Sequence, residues 1–311
     1  MSSAEALPLV SIGERVPPPV FFVISAVFHY LGPAFAVLLF QHVPPLGVAW
    51  LRIGSAAIIF VVWRRPWLCL RQLSAPQKAT IVTLGTVLAA MNSVFYEAID
   101  RLPLATVGAI EFLGPIALAV VGLRTRRNVM ALALAAAGVF ALTNVRIAGQ
   151  PLGYFFAFAN CALFVLYVVL GHRLAADGGA GGVDRLSIAM LVAMVVALPI
   201  GGTQATAALA SPLLLAAAIG VGISSSVIPY VCDQMAMARL PRATFALMLS
   251  LLPATAAVIG VLVLRQIPSF TEVCGIALVI LGIAVHRSIA KHPGSRDRER
   301  PTENEEWQKH D

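Results

Sequence analysis

The stretch Arg101–Gly122, RLPLATVGAIEFLGPIALAVVG, sets a carboxylate, Glu111, in the middle of a run that is otherwise uncharged after its first residue and mostly apolar. An acid at the centre of a membrane helix costs roughly 2.5–3.5 kcal/mol on insertion scales, so such a residue faces a protein interior or a wet cavity and marks a substrate or proton path. The stretch returns as Arg239–Gly260, RLPRATFALMLSLLPATAAVIG. At a constant offset of 138, ten of the twenty-two positions are identical, among them Arg101/Arg239, Pro103/Pro241, Thr106/Thr244, Pro115/Pro253 and Gly122/Gly260. The chain therefore reads as two copies of one membrane unit, with the acid kept only in the first.

Composition agrees with a membrane chain. Of 311 residues 59% are hydrophobic and 12% charged, with a mean hydropathy of +0.86; soluble domains carry about 25% charged residues. Apolar runs of about twenty residues fit helices across ~30 Å of hydrocarbon, and the alternation of a β-barrel is absent. The expected class is an all-α integral membrane protein. The formal charge of +7 resides in short loops and the tail, where it sets orientation rather than binding nucleic acid. Cys69, Cys161, Cys232 and Cys274 are single and widely spaced, so neither a disulfide frame nor a metal cluster is indicated. No cofactor is expected. The first twenty residues show no basic segment followed by an apolar core and a small-residue cleavage site, so no removable signal peptide is read there.

Ten spans can be drawn: Pro19 to Phe40, Leu46 to Trp63, Gln77 to Ala98, Leu104 to Leu123, Asn128 to Val145, Leu152 to Leu170, Leu186 to Gly202, Leu213 to Cys232, Ala243 to Leu264 and Phe270 to Ile289. They group as an N-terminal tail (1–18), a first five-helix repeat (19–171), a Gly-rich linker (172–185), a second five-helix repeat (186–290) and a disordered tail (291–311). With the N-terminus inside, Lys and Arg divide 18 on the inner face against 3 on the outer, with Arg52 inside a span. Both termini are then cytoplasmic. Five spans per copy make the second copy inverted relative to the first, the architecture of many secondary transporters, in which two opposed halves open a midplane site to each side in turn.

Arg52 and Glu111 enter their spans from the same outer surface to similar depth, roughly 9 to 10 Å at ~1.5 Å per residue. Asn92 reaches a comparable level, and His29, Tyr30 and Tyr96 add polar groups. Such a cavity suits a small zwitterion, its carboxylate meeting Arg52 and its ammonium Glu111. A plainer reading keeps Arg52 and Glu111 as a buried ion pair between helices, or lets Arg52 snorkel to the interface. Ser224–Ser226 followed by Pro229 and Tyr230 reads either as a break in the eighth helix beside the cavity or as small-residue packing. Glu97, Asp100, Asp233 and Glu272, near span ends, read as rim charges. No phosphate loop, nucleophile triad or metal set can be assembled, so no enzyme is expected. Transport would then draw on an ion gradient, most simply protons, with Glu111 as the carrier.

The runs Gly47-Val-Ala-Trp-Leu-Arg52, Met91-Asn-Ser-Val-Phe-Tyr96, Arg101-Leu-Pro-Leu104, Glu111-Phe-Leu-Gly-Pro115 and Arg239-Leu-Pro-Arg-Ala-Thr-Phe245 resemble the EamA-type branch of the drug/metabolite transporter superfamily. Among its members they are most similar to bacterial inner-membrane threonine and homoserine exporters. The resemblance covers the chain from the first helix to His286. It implies ten transmembrane helices in two inverted EamA repeats, a lipid-embedded exporter in the bacterial cytoplasmic membrane, and small amino acids or related metabolites moved against protons. Exporters of this kind often carry a Glu before the proline of the ninth helix and another in the loop after it, where this chain has Leu252 and Gln266. Glu111 then stands alone and the amino-acid preference stays open. Export of drugs or other metabolites, and a non-transporting scaffold or sensor, remain as alternatives, and a homodimer is left open.

Overall fold

The structure, a computed structural model, describes residues 16–122, 125–144, 150–175, 179–240, 245 and 251–285. The expected tail from Lys291, all but the end of the N-terminal tail, the middle of the Gly-rich linker and positions 241–244 and 246–250 of the second repeat stretch lie outside the described residues. The long helices are α1 (Pro18–Leu39), α2 (Pro45–Arg64), α3 (Ala75–Arg101), α4 (Leu104–Gly122), α5 (Arg126–Asn144), α6 (Pro151–Ala175), α7 (Gly179–Gly201), α8 (Pro212–Met237), α9 (Leu251–Leu264) and α10 (Phe270–Val285). No strand occurs among the described residues. Among the described residues six helices, α1, α2, α3, α6, α7 and α8, are long and apolar enough to cross a membrane, and shorter apolar helices accompany them.

Proline starts many of these helices for a simple reason. The first turn of a helix leaves its N–H groups without intrahelical acceptors, so a residue with no N–H and a fixed φ loses nothing there. Pro18, Pro45, Pro151 and Pro212 are the first residues of α1, α2, α6 and α8. Before α3, Ser74 supplies a cap whose backbone N–H donates to Gln77 Oε1 at 3.0 Å. At the far end of α2, Arg65 adopts φ 47° and its N–H closes onto Val61 O, a left-handed stop that L-residues adopt rarely.

The bundle is apolar outside and polar within. Val62, Leu213, Leu262, Ile267 and Phe270 are 73% to 85% exposed, whereas Arg52, Glu111 and Asp233 are at most 4% exposed. Water as the only solvent would penalise both halves of that distribution; the chain is a membrane protein. α2 packs against α7, α3 against α6 and α7, α1 against α8 and α9, α4 against α6 and α9, and α5 against α10.

The Gly-rich stretch His172–Asp184 is helical over most of its length, for α6 continues to Ala175 and α7 begins at Gly179. Glycine signals a loop in water, but here it admits close packing: a Cβ on Gly182 would stand 2.7 Å from Gln234 Oε1. Asp184 at this end of the bundle holds Arg64 at 2.6 Å.

Candidate functional site

Glu111 lies in the first half of α4, 2% exposed. Tyr30 Oη donates to its Oε2 at 2.7 Å, Asn160 Nδ2 donates to its Oε1 at 2.9 Å, and His29 Nε2 lies 3.6 Å from Oε2. The approach of Tyr30 requires Gly108, nearly one turn earlier on α4, since a Cβ there would sit 2.9 Å from the phenol oxygen. Phe164 of α6 packs edge-on against His29 at 5.8 Å between centroids. Three helices thus hold one carboxylate with three polar partners.

Arg52 is anchored elsewhere. Its Nε donates to Ser226 Oγ at 2.8 Å and its Nη2 to Ser225 O at 2.5 Å, and its guanidinium stands over the rings of Tyr96 (5.5 Å) and Tyr230 (6.0 Å). The reason that Ser225 O is available lies in the sequence. Its donor in a regular α-helix would be the N–H of residue 229, which is Pro229 and has none. Locally α8 widens into a π turn over Ile223–Val227, the break that Ser224–Ser226 and Pro229 suggested, and π turns inside α-helices recur at functional sites. Gly32 of α1 presses on this turn so closely that a Cβ there would be 2.3 Å from Ser225 Cβ.

The ion pair between Arg52 and Glu111 is not formed: among the described residues no carboxylate pairs with Arg52. Nor does Arg52 snorkel, since it is buried. Both residues instead line the same small cavity, of about 10 Å³, together with His29, Asn92, Asn160 and Tyr230. That volume is close to the minimum for one water, so the centre is tightly packed. Asn92 joins α3 to α8, its Nδ2 donating to Leu88 O of its own helix at 2.7 Å and to Tyr230 Oη at 3.2 Å. Tyr96, whose ring faces Arg52, and Asn160, which holds Glu111, each bury a polar atom without a hydrogen-bond partner among the described residues, Tyr96 Oη and Asn160 Oδ1. The first can donate and the second can only accept.

All seven residues singled out in the sequence, His29, Tyr30, Arg52, Asn92, Tyr96, Glu111 and Tyr230, thus fall in one connected cluster. Two members were missed. Asn160, in the interior of α6, gave no signal beyond being an amide in an apolar run. Asp233, read as a rim charge, is 4% exposed; Ser25 Oγ donates to its Oδ1 at 2.5 Å and Tyr167 Oη to its Oδ2 at 2.7 Å. Its position near a helix end misled because α8 continues past it to Met237 and α1 and α6 cover it. Glu272 is likewise buried, closing a cap with Ser269, whose N–H donates to its Oε2 at 2.7 Å.

Larger cavities lie on either side of the closed centre. One of about 330 Å³ is lined by Val37, Asp100, Arg101, Thr106, Gln266 and Glu272, among others. The second, about 230 Å³, is lined by Gln77, Thr80, Ile81, Arg173, Leu174 and Arg185. No group of three or more His, Cys, Asp or Glu side chains is placed to hold a metal among the described residues.

Comparison with known proteins adds to this geometry. A family model described as the EamA-like transporter family matches residues 151–287. The threonine/homoserine exporter RhtA of Escherichia coli (strain K12) is 31% identical over 242 residues, 76% of this chain and 79% of that protein. The threonine/homoserine exporter RhtA of Salmonella typhimurium (strain LT2) is 29% identical over 256 residues, 80% of this chain and 84% of that protein. A crystal structure of a protein 18% identical in sequence aligns with a TM-score of 0.55, covering 86% of this chain and 95% of that one, a likeness of fold alone.

Proposed function

For a chain that belongs to the EamA-like transporter family, we propose secondary-active export of small zwitterionic amino acids, threonine and homoserine first, across the bacterial cytoplasmic membrane. The observation that carries this reading is the unspent chemistry of the centre. Arg52, a buried guanidinium with no acid on it among the described residues, lies over the ring of Tyr96, whose phenol has no partner among them, and makes a receptor for a carboxylate; Glu111 with Asn160 Oδ1 makes one for an ammonium. Charge-assisted hydrogen bonds of this kind contribute about 1.5–3 kcal/mol each, and neither receptor alone would select a zwitterion.

The site works by alternating access between two inverted five-helix repeats. Several observations support that arrangement. Arg101 shares a cavity with Val37 near the C-terminal end of α1, whereas Arg239 Nη1 donates to Val16 O just before its N-terminal end, so the two copies of the Arg-Leu-Pro motif sit at opposite ends of one helix. Helix pairs also recur in the pattern that an exchange of halves requires: α2 packs on α7, α4 on α9 and α5 on α10, while α3 on α6 is matched by α8 on α1. Asn92 and Tyr230, which touch, are themselves 138 residues apart. A tight polar centre between two vestibules is the form expected of an occluded state.

Proton coupling completes the proposal. Glu111 releases its proton on the inner side and takes up the substrate ammonium there, then exchanges the ammonium for a proton on the outer side, so one acid serves two cargoes in turn. The test is efflux from cells preloaded with a panel of amino acids. Wild-type protein releases threonine or homoserine at least several-fold faster than cells lacking it, and Glu111→Gln and Arg52→Gln do not. Equal release with and without the protein across the panel, or resistance to cationic drugs in its place, overturns this reading.

A further inference from the structure

We infer that Asp233 is a second proton-binding station, linked through His29 to Glu111, so that beyond Glu111 the proton's path parts from the substrate receptor. The inference rests on the proton-coupled reading above and extends it to a residue of the second repeat.

The groups lie in series along the bundle. Glu111 is seven residues from the start of α4, about 10 Å from that end at ~1.5 Å per residue. His29 is near the midpoint of α1. Asp233 is four residues from the opposite end of α8, about 6 Å in, at the end where Arg239 meets Val16. His29 Nε2 is 3.6 Å from Glu111, and Ser25, one turn earlier on the same helix, donates to Asp233. His29 thus stands between the two acids along α1.

The surroundings of Asp233 favour this role over that of a mere helix fastener. Its carboxylate is held by two hydroxyl donors, Ser25 and Tyr167, and by no Lys or Arg among the described residues. A buried acid used only to join helices is better served by an ion pair or by an apolar replacement; hydroxyl donors can rotate to serve either protonation state. The titratable groups that act on it are His29 of α1, Tyr167 of α6, and Tyr230 and Cys232 of α8 itself. Those around Glu111 are His29 and Tyr30 of α1 and Cys161 of α6. Arg52 faces Tyr230 and Tyr96 instead.

The transfer balances simply. The Glu111 carboxylic acid gives its proton to the imidazole and becomes a carboxylate; the imidazolium gives a proton to the Asp233 carboxylate and returns to neutrality; Asp233 loses that proton to the adjoining aqueous face. Nothing else is consumed, and Glu111 is left ionised to receive an ammonium.

The experiment uses the full chain in proteoliposomes with labelled threonine as the probe. Two fluxes are compared: transport driven by an imposed pH difference, and counterflow of threonine against threonine, which needs no net proton movement. Asp233→Asn is expected to lose pH-driven flux by more than tenfold while keeping counterflow, and Asp233→Glu to restore the driven flux. Ser25→Ala and Tyr167→Phe, which leave the charge in place, shift the pH midpoint of driven flux, a readout that stands if Asp233→Asn fails to fold. Driven flux equal to wild type in Asp233→Asn, or an unmoved midpoint in both hydroxyl variants, overturns the inference alone. A wild type with threonine counterflow but no response to the pH difference overturns the proton-coupled reading together with it.

Discussion

A guanidinium buried in a membrane bundle is costly unless its donors are met, and Arg52 meets its need with neutral oxygens from Ser225 and Ser226. That choice leaves its charge available. Tyr96 extends the same logic, because its buried hydroxyl has no hydrogen-bond partner among the described residues. Tyr96→Phe is therefore expected to leave the melting temperature unchanged or raise it, while weakening threonine binding about fivefold, the equivalent of one hydrogen bond of about 1 kcal/mol. Thermal unfolding and equilibrium binding on the same preparation check both halves. At this scale the sequence was informative where a charge stood deep within an apolar run, as at Glu111 and Arg52. It was silent on Asp233 because burial there depends on Ser25 and Tyr167, 208 and 66 residues away.

Among the elements, α8 is the one whose shape governs the centre. Its π turn is the combined result of three serines, a proline that withholds a donor, and a glycine on the facing helix. Gly32→Val would drive side-chain carbons into the backbone of that turn and is expected to lower stability by about 1–3 kcal/mol, the usual cost of overpacking, and to abolish transport. Gly220→Ala, on the same helix as the turn but with nothing within 4 Å of the added carbon, is the matched control and should behave as wild type in a melting curve. The break in α8 was legible from Ser-Ser-Ser and Pro229. The helical residues of the Gly-rich linker on either side of 176–178 were not, since glycine marks a turn in one setting and tight helix contact in the other, and the contact of Gly182 with Gln234 is not written in the local sequence.

For the whole molecule, the repeated Arg-Leu-Pro motif and the asymmetry of Lys and Arg were enough to suggest two opposed halves, because orientation in a membrane is set by charge counts that a sequence displays directly. Which faces of the helices meet was not legible, since the exterior is as apolar as the packing surfaces. Single cysteines at Arg101 and Arg239, in a chain whose four native cysteines are replaced, should react with a membrane-impermeant thiol reagent from opposite sides, Arg101→Cys from outside intact cells and Arg239→Cys only in inverted vesicles. Labelling of both from one side contradicts the inverted repeat.

The central claim is a receptor with two chemically distinct ends, and direct binding to the purified protein tests it most closely. Threonine is compared with its methyl ester, which lacks the carboxylate, and with N-acetylthreonine, which lacks the ammonium. Threonine is expected to bind wild type at least tenfold more tightly than either analogue, a gap of about 1.4 kcal/mol, with Arg52→Gln erasing the preference over the ester and Glu111→Gln the preference over the acetylated acid. Equal affinity for all three ligands in the wild type would contradict the account.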